Sequence, residues 1–353
     1  EDAREYVVVH NAIAGGLENT IIERLEMDPT KIKNLKLTGK ITTEDYTFMR
    51  EKMTNLQRLN LKEVESLIDG VYQIPKYAFG DKKTLVKCVL PDILERIEEY
   101  SFANTALTGT LLLPEGLKYV SGFDNTKITN VHFPSTLEEI GNNAFSGCSS
   151  LMCEISFPES LKKIGSDAFY NSEISGNLVL PHNLESIGYY GFFSCNNLTG
   201  SLIIPDKITQ IPGGAFFDAG FTGTLTLPDG LIEIGEGAFA EVDFKGELNF
   251  PNGLAVIGSG AFSRTTFNGT LVLPKELLSL GSSAFSECWR LSGVVEIPKN
   301  IISVPFYLFA GCIGIEGIVL HKDVEVIESM AFDNCTGVYS IVSHAKNPPV
   351  INS

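Results

Sequence analysis

No stretch of this 353-residue sequence comes near the ~20 consecutive apolar residues with which a helix crosses a bilayer. Its longest apolar runs are a few residues, such as Leu111-Leu112-Leu113, which excludes a membrane-spanning helix. Basic residues are scarce: 27 Lys and Arg stand against 43 Asp and Glu, for a net charge of −16. A surface of that sign repels phosphate backbones and anionic lipid, and excludes nucleic acid as a partner. Histidine is scarcer still, and His10, His132, His182, His321 and His344 are scattered over unlike contexts, so they assemble neither a metal cluster nor a nucleophile–base pair. There is no Asp-x-Asp-x-Asp-Gly calcium loop, and acidic pairs such as Glu138-Glu139 read as solvated faces. The seven cysteines, Cys88, Cys148, Cys153, Cys195, Cys288, Cys312 and Cys335, suit neither a zinc ribbon nor a CxxC redox pair. The sequence opens on Glu1 without a charged-then-apolar leader, which reads as a mature or trimmed form. Catalytic residues, metal ligands and cofactors are therefore expected to be absent.

Apolar residues, at 44%, are plentiful enough for a continuous core. They are strictly periodic. Prolines recur from Pro91 through Pro114, Pro134 and on to Pro298 at intervals of 20 to 24 residues, with His321 filling the next register. An apolar residue follows each by three (Leu137, Leu161, Leu184), another by six (Ile140, Ile164, Ile187) and a phenylalanine by eleven (Phe145, Phe169, Phe192). Self-similarity at this period specifies a repeat solenoid, in which each unit buries its apolar face only against its neighbours.

Within one repeat, an alternating stretch such as Leu271-Val272-Leu273 ends at proline, which has no amide hydrogen to continue a ladder. Short parallel strands are expected there, stacked ~4.8 Å apart. Glycine five residues before the proline, as at Gly269, marks a tight entry to the strand. The Ala-Phe pair should drop a ring into the interior and build an aromatic spine. Five cysteines fall three residues after the phenylalanine, where other repeats have Thr105, Ser172 or Ala219, so the position calls for a small side chain. Buried free thiols are the expectation, with a Cys312–Cys335 disulfide between neighbouring coils as the alternative.

Residues 1–66 read as an N-terminal α/β cap. Ile32–Leu37 and Leu56–Leu61 share one strand pattern 24 residues apart, and Thr43–Met53 is rich in helix formers with acids first and bases later. Residues 67–353 form the repeat array. The coil between Pro114 and Pro134 lacks its Ala-Phe pair, with Phe123 arriving early, and a kink or thinner wall is expected there.

The pattern Pro-x-x-Leu-x-x-Ile-Gly-x-x-Ala-Phe-x-x-Cys stands unbroken as PSTLEEIGNNAFSGC, Pro134 to Cys148. In that pattern the chain resembles the BspA-like class of bacterial leucine-rich repeats over about 68–345. Leu35–Leu61 resembles the N-terminal cap of such proteins from host-associated anaerobic bacteria. The resemblance implies a β-rich leucine-rich-repeat fold and export to the extracellular bacterial surface, often as a lipoprotein whose lipid would sit on an N-terminus outside this sequence. It also implies adhesion to host matrix or to other bacteria. No catalytic residues belong to that class.

Candidate contact residues are those that break the repeat's surface pattern. Trp289, the sole tryptophan, takes a position held elsewhere by Ser149, Asn196 or Asp243, and should lie exposed beside Ile313 of the next coil as an anchor, unless it packs on a neighbour. Tyr189-Tyr190 and Phe306-Tyr307 replace small polar pairs such as Asn142-Asn143. Positions four and five after the proline drift from charged (Glu138-Glu139, Lys162-Lys163) to apolar (Ala255-Val256, Leu278, Ile302), which suggests a contact surface in the C-terminal half. The expected function is a non-catalytic binding scaffold for a protein or glycan on a host or bacterial surface. A structural spacer and a carbohydrate-binding module are the alternatives.

Overall fold

The computed structural model describes residues 5–352. It divides into two compact units, Glu1–Glu173 and Ile174–Ser353, each a parallel-strand β-solenoid.

The first unit begins with four parallel strands in the order Val7–Asn11, Asn34–Lys40, Arg58–Glu65 and Lys87–Val89. Leu35 pairs with Leu59, the 24-residue register the sequence implies. Val7–Asn11 adds an edge strand that the sequence pattern did not reveal. A helix, Thr43–Glu51, follows the second strand. Buried Asp45 accepts the amides of Thr42, Gly15 and Leu17 (2.9, 2.7 and 2.9 Å), tying the first turn to the preceding loop. At the other end the Lys82 ammonium donates to the carbonyls of Arg50 and Met53 (3.0 and 2.7 Å), where the helix leaves acceptors unpaired. Burial pulls that lysine down to about 8.

Beyond these elements two ladders run along the coils, each interrupted at some steps. One is the expected strand before the proline, seen as Thr108–Leu112 paired with Lys127–His132. Gly269, at the strand entry in the second unit, has a φ of +91°. The second ladder lies five and six residues after the proline, a row of two-residue strands that the sequence reading recognised only as buried apolar positions. In the first unit it runs through Arg96–Ile97, Tyr119–Val120, Glu139–Ile140 and Lys163–Ile164. In the second it runs through Gln210–Ile211, Glu233–Ile234, Val256–Ile257 and Ser279–Leu280. The residue after the pair, most often glycine, donates back to the preceding coil, as Gly235 does to Ile211 (2.7 Å), Gly258 to Ile234 (2.8 Å) and Ser121 to Ile97 (3.0 Å). Proline at 212 and 305 has no such amide, and the second unit's ladder stops at both steps.

The aromatic spine is present in both units. Phe79, Phe102, Phe123, Phe145 and Phe169 stack in the first at 5.0–5.8 Å. Phe192, Phe216, Phe239, Phe262, Phe285, Phe309 and Phe332 stack in the second at 5.5–6.2 Å. Spine amides donate to the next coil, as Phe239 does to Ala261 (2.9 Å), so bonds run both ways along the stack. A second internal row, Phe221, Phe244 and Phe267, stacks beside it at 5.8 and 5.3 Å.

The short coil does not interrupt the first unit's stack. Phe123 takes the spine position between Phe102 and Phe145, and Tyr119–Val120 continues the second ladder. The missing residues come out of the wall, where Gly122 (φ +80°) replaces the usual turn. Asp124 is buried there, with Oδ1 lacking a hydrogen-bond partner among the described residues. Burial raises its pKa above the ordinary aspartate value. A raised folded-state pKa means that the charged form penalises the fold above that pKa, and that the penalty vanishes below the unfolded value near 3.9. Asp124→Asn is accordingly expected to raise the melting temperature at pH 7, with the gain fading as pH falls to about 4; an equal gain at both pH values would contradict a charge effect.

All seven cysteines are free, including Cys312 and Cys335. The position three residues after the spine ring takes a small side chain, Ala219 and Val242 in two coils, and where that side chain can donate it finds a carbonyl. Thr105 and Thr265 donate to the carbonyl of their own coil's ring residue (2.8 Å each). The cysteines reach the preceding coil instead: Cys288 to Phe262 (3.0 Å), Cys312 to Phe285 (2.9 Å) and Cys335 to Phe309 (2.9 Å). Burial pushes Cys148 up to about 11, so its thiol stays protonated and unreactive at neutral pH.

Candidate contact surface

Four residues after each proline, one side chain per coil stands outside the second ladder. In the first unit this row is solvated by design of its charges: Lys118 pairs with Glu95 (3.0 Å) and Lys162 with Glu138 (2.8 Å), coil to coil. The second unit keeps the backbone and changes the chemistry. Ala255 donates its amide to Ile232 and Leu278 to Ala255 (2.9 and 2.8 Å), placing these residues one above another. Ile302 holds the same register in the next coil. Ile232, Leu278 and Ile302 are 50, 64 and 50% exposed. Nothing in the ladder requires apolar groups here, since ion pairs serve elsewhere at the same position.

The aromatic pairs lie at positions eight and nine, on the far side of the ladder. Tyr189, Tyr190 and Phe306 are exposed and Tyr307 is half-buried. Outside the short coil, position nine has a left-handed backbone, with φ +54° at Asn143 but also +56° at Tyr190 and +53° at Tyr307. Asparagine and glycine take that conformation readily, whereas a bulky residue pays about 1 kcal/mol or more. Tyr190 lies over Gly214 of the next coil, where an added Cβ would fall 2.3 Å from its ring. It also meets Phe193 edge-on (5.7 Å), and Phe193 stacks on Phe217 (4.7 Å). These two half-buried rings were missed in the sequence reading; the signal was an aromatic residue directly after the spine phenylalanine, where Ser146, Ala240 and Ser263 stand in other coils. Phe306 and Tyr307 pack perpendicular to each other at 4.3 Å. In the first unit Tyr77 and Tyr100 use the left-handed position too, stacked at 5.2 Å beneath Lys76.

Trp289 is 47% exposed, and Ile313 of the next coil is exposed as well. The Arg290 guanidinium lies 4.5 Å from the indole centre, so one face is already occupied by a cation. The candidate residues do not converge on a single site. Tyr189-Tyr190 lies five coils from Phe306-Tyr307, roughly 24 Å at strand spacing. Trp289 belongs to the segment after the spine ring, whereas Leu278 and Ile302 share the row before the ladder. Among the described residues no group of three His, Cys, Asp or Glu could hold a metal ion, and no helix is long and apolar enough to cross a membrane.

A family model described as BspA type leucine-rich repeat region, in six copies, matches residues 44–123, 72–199, 119–222 and 215–339. Among solved structures, the chain is similar to a leucine-rich repeat protein from Bacteroides ovatus at 23% identity and a TM-score of 0.59, over 80% of this chain and 66% of that one. It thus spans just under two thirds of that relative's length. A leucine-rich cell surface protein from Faecalibacterium prausnitzii aligns at 18% identity, with a TM-score of 0.45, over 88% of this chain and 84% of that one. The pneumococcal vaccine antigen PcpA aligns at 17% identity, with a TM-score of 0.44, over 90% and 80% respectively. No curated protein matches the chain. At these identities the likeness to solved structures is one of fold alone.

Proposed function

This chain belongs to the BspA-type leucine-rich-repeat family, and from that premise we propose that it is a non-catalytic binding scaffold, exported to a bacterial cell surface, that adheres to a protein or glycan on a host or bacterial surface. One observation carries the reading. At the register where the first unit sets Lys118 against Glu95 and Lys162 against Glu138, the second unit exposes Ile232, Leu278 and Ile302. Exposed apolar groups in register cost solubility and contribute nothing to the ladder, whereas they release water when a partner covers them. Tyr189, Tyr190, Phe306, Tyr307 and Trp289 are candidates for secondary contacts, since aromatic side chains supply large contact area at small entropic cost. A spacer role would leave the charged row unchanged from one unit to the next.

Leu278→Lys combined with Ile302→Lys is expected to weaken binding to bacterial or epithelial cells at least about tenfold, because two truncated anchors cost on the order of 1 kcal/mol or more each. Flow-cytometric titration of labelled protein reads this, with circular dichroism and melting temperature as controls. Saturable binding that survives both substitutions, or no binding by the unsubstituted chain, removes the reading.

A further inference from the structure

The first unit holds a cation of its own against tyrosine. At positions eight and nine, Lys76 and Tyr77 of one coil stand in register with Glu99 and Tyr100 of the next, and the Tyr77 amide donates to the Glu99 carbonyl (3.3 Å). The two rings stack at 5.2 Å. The Lys76 ammonium lies 5.4 Å from both ring centres and donates to the Glu99 carboxylate (2.8 Å). Both attractions act on one group: ring faces draw a cation within ~6 Å of their centres, and the carboxylate adds a charge-assisted hydrogen bond.

The second unit repeats the rings and the carboxylate at these two positions without the cation. Tyr189 takes the place of the lysine at position eight, Tyr190 occupies position nine, and the next two coils set Gly213-Gly214 and Glu236-Gly237 in register. A Cβ added to Gly213 would lie 3.6 Å from the Tyr189 ring, so that ring leans over a residue with no side chain. Beyond the glycine, Glu236 is exposed, and its side chain has no ion pair or hydrogen bond among the described residues. Ring and carboxylate therefore border a gap two coil steps wide, about 10 Å at strand spacing. The fold does not ask for a ring at Tyr190, because Asn143, Asp167 and Ser283 hold the same left-handed position at φ +54°, +55° and +57°. The charge around the gap is one-sided. Between residues 174 and 244 eight acidic residues stand against one lysine, Lys207, whose ammonium is engaged by Asn183 (3.0 Å). That field spans three coils, roughly 15 Å, and so suits several cations spaced along an extended chain.

We infer that Tyr189, Tyr190 and Glu236 bind a lysine or arginine side chain of a basic polypeptide segment, as the first unit binds its own Lys76. The partner's cation lies against the tyrosine rings and donates to the Glu236 carboxylate, and further cations along the segment are drawn by the surrounding acids. The inference rests on the scaffold reading and deepens it by naming a basic protein segment as the ligand of this surface. The Leu278–Ile302 row takes no part in it.

The test is fluorescence anisotropy of a labelled peptide amide carrying three lysines spaced by glycine and serine, titrated with the purified full chain, beside the same peptide with every lysine side chain acetylated. The lysine peptide is expected to bind at least about tenfold more tightly than the acetylated one. Tyr189→Ser/Tyr190→Asn changes no charge and gives both positions residues they have elsewhere, Ser166 and Asn143. It is expected to keep its melting temperature or raise it while losing at least about tenfold in affinity, and Glu236→Gln to lose about threefold. Leu278→Lys/Ile302→Lys should retain binding. Affinity untouched by the tyrosine substitutions would be diffuse attraction to net charge and overturns the site, as does affinity untouched by Glu236→Gln. Equal binding of the acetylated peptide, or none of either, overturns it and leaves the cell-binding result to decide the scaffold reading. Loss of binding in the Leu278→Lys/Ile302→Lys protein with its fold retained also overturns it, because the two surfaces would then be one.

Discussion

Phe239→Ala is expected to destabilise the second unit by about 3–5 kcal/mol, the cost of emptying a fully packed aromatic site. Its ring is wholly buried, stacked on Phe216 and Phe262 at 5.6 and 5.5 Å and meeting Phe244 edge-on at 6.0 Å. In a solenoid each coil contacts only its neighbours, so the cavity weakens two adjacent interfaces at once. Phe332, half-buried and with one stacked neighbour, supplies the comparison: its alanine variant should lose roughly half as much or less. Guanidinium unfolding followed by circular dichroism measures both. Equal losses at the two positions would mean that the spine does not act as a packed stack.

Gly122→Ala should be nearly as damaging, although it adds one methyl group. Glycine here has a φ of +80°, and an added Cβ would lie 2.5 Å from the Glu98 carbonyl oxygen and 2.6 Å from the Ser101 nitrogen. Both are backbone atoms of the neighbouring coil and cannot step aside. The Gly122 carbonyl also accepts the Phe102 amide (2.8 Å), so relief of the clash opens a bond between coils. A loss of about 3 kcal/mol or more is expected, since strain and a broken inter-coil bond add to the left-handed penalty. Gly260→Ala, also left-handed at +60° but with open space around its Cβ, isolates the backbone part and should cost only about 1 kcal/mol. Similar losses for the two variants would remove the steric argument.

The repeat made most of the fold readable. Proline, leucine, isoleucine and phenylalanine at fixed offsets correspond to strand end, core, ladder and spine, because each offset faces the same neighbour in every coil. What escaped was structure whose signal is weak or non-periodic. Two-residue strands such as Glu233–Ile234 show no alternation long enough to read, and Val7–Asn11 precedes any repeat. Phe123 looked displaced because two residues are missing before it, yet the interior required a ring and the wall shortened to supply one. The early phenylalanine was visible; that the stack would stay continuous was not. The contact residues were legible as departures from the pattern. Their dispersal was not, because offsets four, eight and fifteen from a proline look close in sequence and lie on different parts of the coil. Phe193 and Phe217 could have been found by the same rule that exposed Tyr189-Tyr190.

Residue-resolved amide hydrogen exchange across the second unit tests most directly whether each sequence repeat is one stacked coil, hydrogen-bonded in both directions. Slow exchange is expected at Gly235 and Gly258, which donate to the preceding coil, and at Phe216, Phe239 and Phe262, which donate to the following one. Leu248, Phe250 and Leu273 should exchange much faster within the same coils. Fast exchange at the glycines and spine phenylalanines, or protection spread evenly over all eight amides, would contradict the account.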